Sequence, residues 1–480
     1  MIRPSRVVAA AVVALAVTAC GTAPDQADGP ASARPPLSSI PVTPGSAGAG
    51  DPYYPTDGNG GYDVTGYQVS VSYDPADEYL EGDTTITSTA NAQLTRFNLD
   101  LDGFDITSVE VDGAAAGVER TGNHELVVTP ATPVAADATF TTRVRYEGEA
   151  EAIDDGTLGK GGWQHTSSGG IFVAGEPHSA TSWFPANDTP KDKATFRLEA
   201  RVPNGWSVIS NGREEPSTSA DGWTTFRWNE PTRIATYLTT IGIEKWTFER
   251  GTLPDGTPVV SAYAPGAEGK KELESRLPEV LAFLAEKFGP YPQSAAGGIY
   301  LNESIGFSLE IQGRPIYAKW VDLPTVVHEN AHQWWGDSVS IENWADICLN
   351  ECFASYATWL WDEAKEGANL DDRFRAEVTR AGSRFWRPLY DMGVGNEFTA
   401  VYDKGPIALH ALRRHIGDDV FNRVLREWPA AHRDGNASWP QFEEFVTERA
   451  GRDLKPFFDA WFRGSEEPPD ELLYPGSLRK

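Results

Sequence analysis

Hydrophobic periodicity changes once along this chain, and that change constrains the fold more than any other feature. From about residue 52 to 245 the chain runs in short segments of period two broken by Gly, Asp, Asn and Pro. Val69-Ser70-Val71-Ser72-Tyr73, Phe140 to Tyr146 and Phe196 to Val202 alternate as half-buried strands do. After Trp246 a helical period takes over at 267–288, with short strands expected near 298–301 and from Phe307 to Tyr317. From Pro324 onward the pattern is helical in series, through the segment ending near Trp361 and then near 371–381, 404–415, 418–428 and 440–450. Strands first and helices after predict an all-β domain over 52–246 and an α+β, mostly helical unit over 247–470, with 471–480 as a tail. A length of 480 residues accommodates both.

The opening of the chain reads as a processing segment. Arg3 and Arg6 precede an apolar run, Val7 to Val17, that is shorter than the roughly 20 residues needed to span a bilayer. Val17-Thr18-Ala19-Cys20 resembles the bacterial lipoprotein box, so residues 1–20 are expected to be a signal peptide and Cys20 a lipidated, membrane-anchoring N-terminus. The plainer alternative is a cleaved signal with an incidental cysteine, hence a secreted protein. Residues 21–51 are rich in Pro, Ala, Gly and Ser and are expected to be a flexible linker. A formal net charge of -28 argues against nucleic acid as a partner, because phosphate binding needs basic surface.

The chemistry is concentrated in Val327-His328-Glu329-Asn330-Ala331-His332, followed by Glu351. On a helix, residues four apart stand roughly 40° from one another, so His328 and His332 can share one metal ion. A bare HExxH arises by accident, but an acidic residue on a second predicted helix completes the two-His, one-carboxylate set of a catalytic zinc site, one ion per chain. Such a set leaves a position open for water, whose pKa falls to about 7 on zinc. Glu329 is not a ligand and is placed to act as general base.

These residues resemble the M1 family of zinc aminopeptidases, gluzincins in which eighteen residues separate HExxH from the glutamate ligand, as they do between His332 and Glu351. His332-Gln333-Trp334-Trp335-Gly336-Asp337 and Leu349-Asn350-Glu351 match the family's wording. Trp183-Phe184-Pro185-Ala186-Asn187-Asp188-Thr189-Pro190-Lys191-Asp192-Lys193-Ala194 resembles its N-terminal-domain signature, and Phe288-Gly289-Pro290-Tyr291-Pro292 the start of its catalytic core. The resemblance implies a saddle-like β domain, a thermolysin-like catalytic domain, and peptides with a free N-terminus as substrates. Larger members of that family add a long C-terminal helical domain, and because little chain remains after Trp461 a short form without it is expected.

The resemblance assigns three more residues. Glu310 lies in a segment whose Phe307, Leu309 and Ile311 alternate with polar residues, which alone would face Glu310 to solvent. The family's equivalent glutamate instead binds the substrate's α-amino group, although Phe307 and Ile311 replace its usual small residue and Asn. Glu176 aligns with the family's second amine-binding residue, reaching across from the β domain; a Glu before Pro is otherwise a loop residue. Tyr402 matches the tyrosine that hydrogen-bonds the developing oxyanion, where sequence alone suggests a buried tyrosine at a helix start.

Cys348 and Cys352 flank Glu351 at helical i, i+4 spacing, with Cα atoms roughly 6 Å apart, and export would oxidise them. A disulfide is expected, against the alternative of two buried thiols. His410 and His415 follow Tyr402 on one helix, while His124, His165, His178 and His432 show no ligand spacing. All are read as structural or exposed, with His178 the exception to watch beside Glu176. The rivals to an aminopeptidase are a thermolysin-like endopeptidase, which lacks the amine anchor, and a catalytically degenerate surface lipoprotein that only binds peptides.

Overall fold

The structure is a computed structural model that describes residues 40–154 and 158–479. Cys20 and the export segment 1–20 lie outside the described residues. An eight-stranded sheet dominates the first half, in the order Arg213–Ala220, Trp223–Ile234, Ala194–Pro203, Tyr62–Asp74, Tyr79–Ala90, Thr139–Glu149, Asp105–Val111, Ala114–Ala115. Only the central pair, Tyr62–Asp74 with Ala194–Pro203, is parallel, with Tyr67 opposite Phe196. Along these strands the alternation predicts the buried face: Val69, Val71 and Tyr73 point inward with Phe140, Val144, Tyr146, Phe196, Leu198 and Val202. A five-stranded sheet, Ser207–Ser210, Ile241–Glu244, Ile171–Val173, Lys160–His165, Ala152–Asp154, packs beside it and launches the loop carrying Glu176.

Beyond Trp246 a four-stranded sheet, Thr247–Thr252, Pro258–Tyr263, Ile299–Tyr300, Ile316–Tyr317, opens the catalytic half. Helices then dominate it: α1 Lys271–Glu274, α2 Leu277–Phe288, α3 Leu323–Ala331, α4 Cys348–Trp361, α5 Leu370–Arg380, α6 Lys404–Ile416, α7 Asp418–Ala431 and α8 Trp439–Ala450. The chain is thus a β-rich N-terminal domain followed by a helical catalytic domain. Among the described residues no helix is long and apolar enough to cross a membrane.

Three expectations are corrected. The end of the expected linker is packed: Gly48 N bonds Gly58 O at 2.8 Å, Ala49 N bonds Asp57 O at 2.9 Å, and Lys191 Nζ donates to Ala49 O. Gly48 sits at φ +100°, where a Cβ would stand 2.0 Å from Pro55 O, so the Gly-Ala run serves close backbone approach and not looseness. Asp51, buried, then accepts from the backbone N–H groups of Tyr53, Tyr54 and Trp344 and ties this strap to the catalytic half.

The expected strand from Phe307 to Tyr317 is a reversal instead. Leu309 and Ile316 exchange both backbone hydrogen bonds, and Leu309, Glu310, Ile311 and Gln312 are all buried, so neither face is solvated. The tail 471–479 also packs, with Leu473 and Leu478 buried and Ser477 Oγ donating to Asp371 at 2.7 Å.

Candidate active site

Helix α3 is started by Asp322, whose carboxylate accepts from Thr325 N at 3.0 Å and Thr325 Oγ1 at 2.7 Å, with Pro324 in the first turn. One turn later His328 and Glu329 share the inner side, and the helix ends at His332, its C-cap. Stacking of Trp335 on Phe353, centroids 3.7 Å apart, presses this end against α4. Helix α4 follows a single turn capped reciprocally by Asn343 and Asp346, which places Glu351 in its first helical turn.

The ligand atoms of His328, His332 and Glu351 all lie within 4.8 Å of one another. His328 Nε2 is 3.1 Å from Glu351 Oε2 and 3.2 Å from His332 Nε2. Because the carbonyl of Trp335 can only accept, His332 Nδ1, 3.0 Å away, carries the proton and leaves the Nε2 lone pair facing the other two side chains. Two imidazole nitrogens and a carboxylate converging in this way fit a zinc ion, and these three residues would hold it.

Although burial alone would raise it, the two imidazoles hold the Glu351 carboxyl well below the usual carboxylate range. Against its burial, Glu310 and Glu351 push the His332 pKa well up, the same carboxylate field that favours a cation at its Nε2.

The remaining predicted residues gather around this set. Glu329 and Glu310 each bring a carboxylate oxygen within 4.8 Å of the His332 donor, and Glu176 and Glu310 do the same with Glu351. Glu176 and Glu310 are 4% and 2% exposed, and Oε1 of each is buried without a hydrogen-bond partner. Burial, then the charges of Glu310 and Glu351, push the Glu176 carboxyl well up. Two unpaired carboxylates cost several kcal/mol to bury unless a cationic group completes the pocket. Tyr402, just before α6, is 42% exposed with its ring 6.0 Å from that of His328, so it faces the cleft and is not a core tyrosine.

Cys348 and Cys352 are joined as a disulfide, with Cα atoms 4.8 Å apart. It abuts α6 at Gly405, where a Cβ would come within 2.7 Å of Cys352 Sγ, so the helix that follows Tyr402 seats directly on the helix of Glu351. His178 is turned to Asp57, Nδ1 to Oδ2 2.9 Å, and His410 bridges Tyr356 and Asp371.

Sequence reasoning missed the residues that position these groups. Gln333, next to His332, accepts from Gly313 N at 2.7 Å and donates to Glu310 O at 3.1 Å, clamping the reversal against the metal helix. Fully buried Arg314 donates to Val260 O and Ser210 O. Lys193 of the β domain donates to Asp337 O and Ser338 O just past the motif, and burial pushes its ammonium down to about 8. A Lys among uncharged carbonyls carries no spacing signal. The only hint was its place in the Trp183 to Ala194 run.

Comparison with known proteins agrees with this arrangement. The model for the peptidase M1 N-terminal domain matches residues 64–238, and that for the peptidase family M1 domain matches 318–461. An M1 zinc metallopeptidase from Deinococcus radiodurans superposes with a TM-score of 0.82 at 28% identity, covering 89% of this chain and 99% of that one. Probable aminopeptidase 1 of Saccharolobus solfataricus is 25% identical over 403 residues, 77% of this chain and 50% of its own length. Aminopeptidase N of Streptomyces lividans is 23% identical over 61% of this chain and 38% of its own. The chain therefore spans half or less of these curated relatives, while it spans nearly all of the two-domain structural neighbour. With both family models matched in order and the His328, His332 and Glu351 set lying inside the second, the chain belongs to the M1 family of zinc metallopeptidases.

Proposed function

We propose that this protein is an exported zinc aminopeptidase that removes the first residue of peptides. The observation that carries the reading is the pair of buried carboxylates, Glu176 and Glu310, each with Oε1 lacking a hydrogen-bond partner, beside the metal set. A free α-ammonium is the group that would pair with both, and its position one residue from the reacting carbonyl limits cleavage to the first peptide bond. A peptide without that ammonium leaves two buried carboxylates uncompensated and is rejected. A mutant of the Deinococcus enzyme has been solved bound to a Tyr-Ser-Ala substrate, in keeping with peptides as the substrate class.

When bound, zinc supplies Lewis acidity that polarises the scissile carbonyl and makes water a nucleophile near neutral pH. Glu329 takes the proton of the attacking water on its carboxylate and passes it to the departing amine nitrogen. The Tyr402 hydroxyl donates to the oxygen that gains charge as the carbonyl is attacked. Glu310 and Glu176 hold the ammonium throughout, Glu310 from the reversal clamped by Gln333 and Glu176 from the β domain.

Export rests on the basic and apolar opening of the chain, and anchoring on Cys20. The deciding experiment compares aminoacyl anilides with their N-acetylated forms on zinc-loaded protein. Preferential cleavage of blocked peptides would replace this reading with an endopeptidase, and inactivity across a broad aminoacyl panel would replace it with a peptide-binding lipoprotein.

A further inference from the structure

A second cluster of metal-ligating side chains lies in the β domain. Strand Phe97–Asp100 pairs antiparallel with Glu125–Thr129, and the register sets Asp100 directly opposite Glu125. Like charges facing each other across a strand pair are destabilising, and here both are buried, at 0% and 6% exposure. Asp100 is partly satisfied, by Asn59 Nδ2 at 3.0 Å and Asp188 N at 2.8 Å. Glu125 Oε1 is buried with no partner. The adjacent His124 ring is oriented by the carbonyl of Thr56, 3.1 Å from Nε2, and the ligand atoms of Asp100, His124 and Glu125 all lie within 4.8 Å of one another.

The surroundings supply further negative charge, set against only the His178 ring turned to Asp57. Asp100 and His124 line a cavity of about 210 Å³ with Asp57, Asp102 and Asp188, and no lysine or arginine is among its described lining residues. Asp188 accepts from Thr236 Oγ1 at 2.6 Å through one oxygen, while its other oxygen is buried and unpartnered. A buried glutamate aimed at an opposing aspartate, with a second orphaned carboxylate oxygen next to it, lacks a positive charge.

We propose that Asp100, His124 and Glu125 bind a second divalent cation, of the Mn²⁺ or Zn²⁺ class, separate from the catalytic ion. The mixed donor set selects this class, because imidazole suits transition metals while Ca²⁺ and Mg²⁺ favour all-oxygen sites. Donors bound to one such ion at about 2.1 Å sit about 3.0–3.4 Å apart in octahedral or tetrahedral geometry, so binding draws these side chains, now within 4.8 Å of one another, together by up to about 1.5 Å. The ion removes the like-charge conflict across the strand pair. Through Asp100 and the backbone of Asp188 it also braces the segment that follows the Glu176 loop.

The test uses the full chain, stripped with chelator and titrated with MnCl₂ or ZnCl₂, with bound metal counted by elemental analysis and calorimetry. Wild type should bind two equivalents. The variant H328A/H332A, which lacks the catalytic ligands, should still bind one and gain thermal stability on binding it. The variant H124Q should bind one, as should E125Q. His124 is only half-buried, so its replacement keeps the test open if E125Q misfolds by circular dichroism. Failure of H328A/H332A to bind any ion, or two equivalents retained in H124Q, overturns the proposal. Neither result touches the aminopeptidase reading, since the catalytic ligands are scored separately.

Discussion

Replacing Glu310 by Gln keeps its shape and removes only the charge offered to the substrate amine. Glu310 is 2% exposed with Oε1 unpaired, and it shares its pocket with Glu176, so an ammonium there would be bound out of reach of water. A hydrogen bond to a charged group in such a setting is worth about 1.5–3 kcal/mol. At about 1.4 kcal/mol per factor of ten, kcat/KM for a free aminoacyl p-nitroanilide should fall by about 10- to 150-fold. The N-acetylated anilide has no ammonium to lose, so the ratio of free to blocked activity should fall by the same factor. Steady-state kinetics on both substrates measure this ratio, and zinc content of the same samples should match wild type because Glu310 is not one of the metal ligands. An unchanged ratio would refute the assignment. Equal losses on both substrates would show that Glu310 supports the metal set electrostatically and does not hold the amine.

Other consequences concern stability. Burial holds His410 down to about 4 from its usual 6.5, with its Nε2 donating to Asp371 and Tyr356 OH donating to Nδ1. The unfolded chain therefore binds a proton that the folded one refuses, and stability from this residue is lost as pH falls from 6.5 to 4. The stability difference between wild type and H410N, measured by urea unfolding, should shrink by up to about 3 kcal/mol over that window. A difference independent of pH would contradict the neutral buried imidazole. Gly48→Ala should cost at least about 2 kcal/mol, since φ +100° and a Cβ 2.0 Å from Pro55 O admit no side chain; unchanged urea unfolding would return residues 45–51 to a loose linker. Replacing both Cys348 and Cys352 by Ala should lower stability by about 2 kcal/mol from lost loop constraint. The check is thermal unfolding with and without reductant, which should separate wild type but not the double variant.

Much of the architecture was readable because strand and helix leave different periods. Helices α5 to α8 follow directly from apolar spacing. Misreadings occurred where one pattern serves two structures. Gly-Ala alternation suits both a loose chain and a backbone packed too closely for side chains, and only the contact of Gly48 with Pro55 tells them apart. Alternation around Glu310 implied one wet face, but the reversal is enclosed on both sides. The pairing of Asp100 with Glu125 was invisible because it depends on strand register between segments far apart in the chain, and single acidic residues in strands carry no spacing signal.

What the sequence determined by itself is local. Four residues of helix bring His328 and His332 onto one side, and a second helix offers Glu351 with a cysteine to either side, because helical geometry converts short spacing into position. Tertiary structure decided what those three side chains face. Glu176 arrives from the β domain, Glu310 from a reversal held by Gln333 and Arg314, and Tyr402 from a helix seated on the Cys348–Cys352 disulfide, while Lys193 locks the domains together behind the motif. Contacts between residues that far apart in the chain arise from packing and register, which no local period encodes.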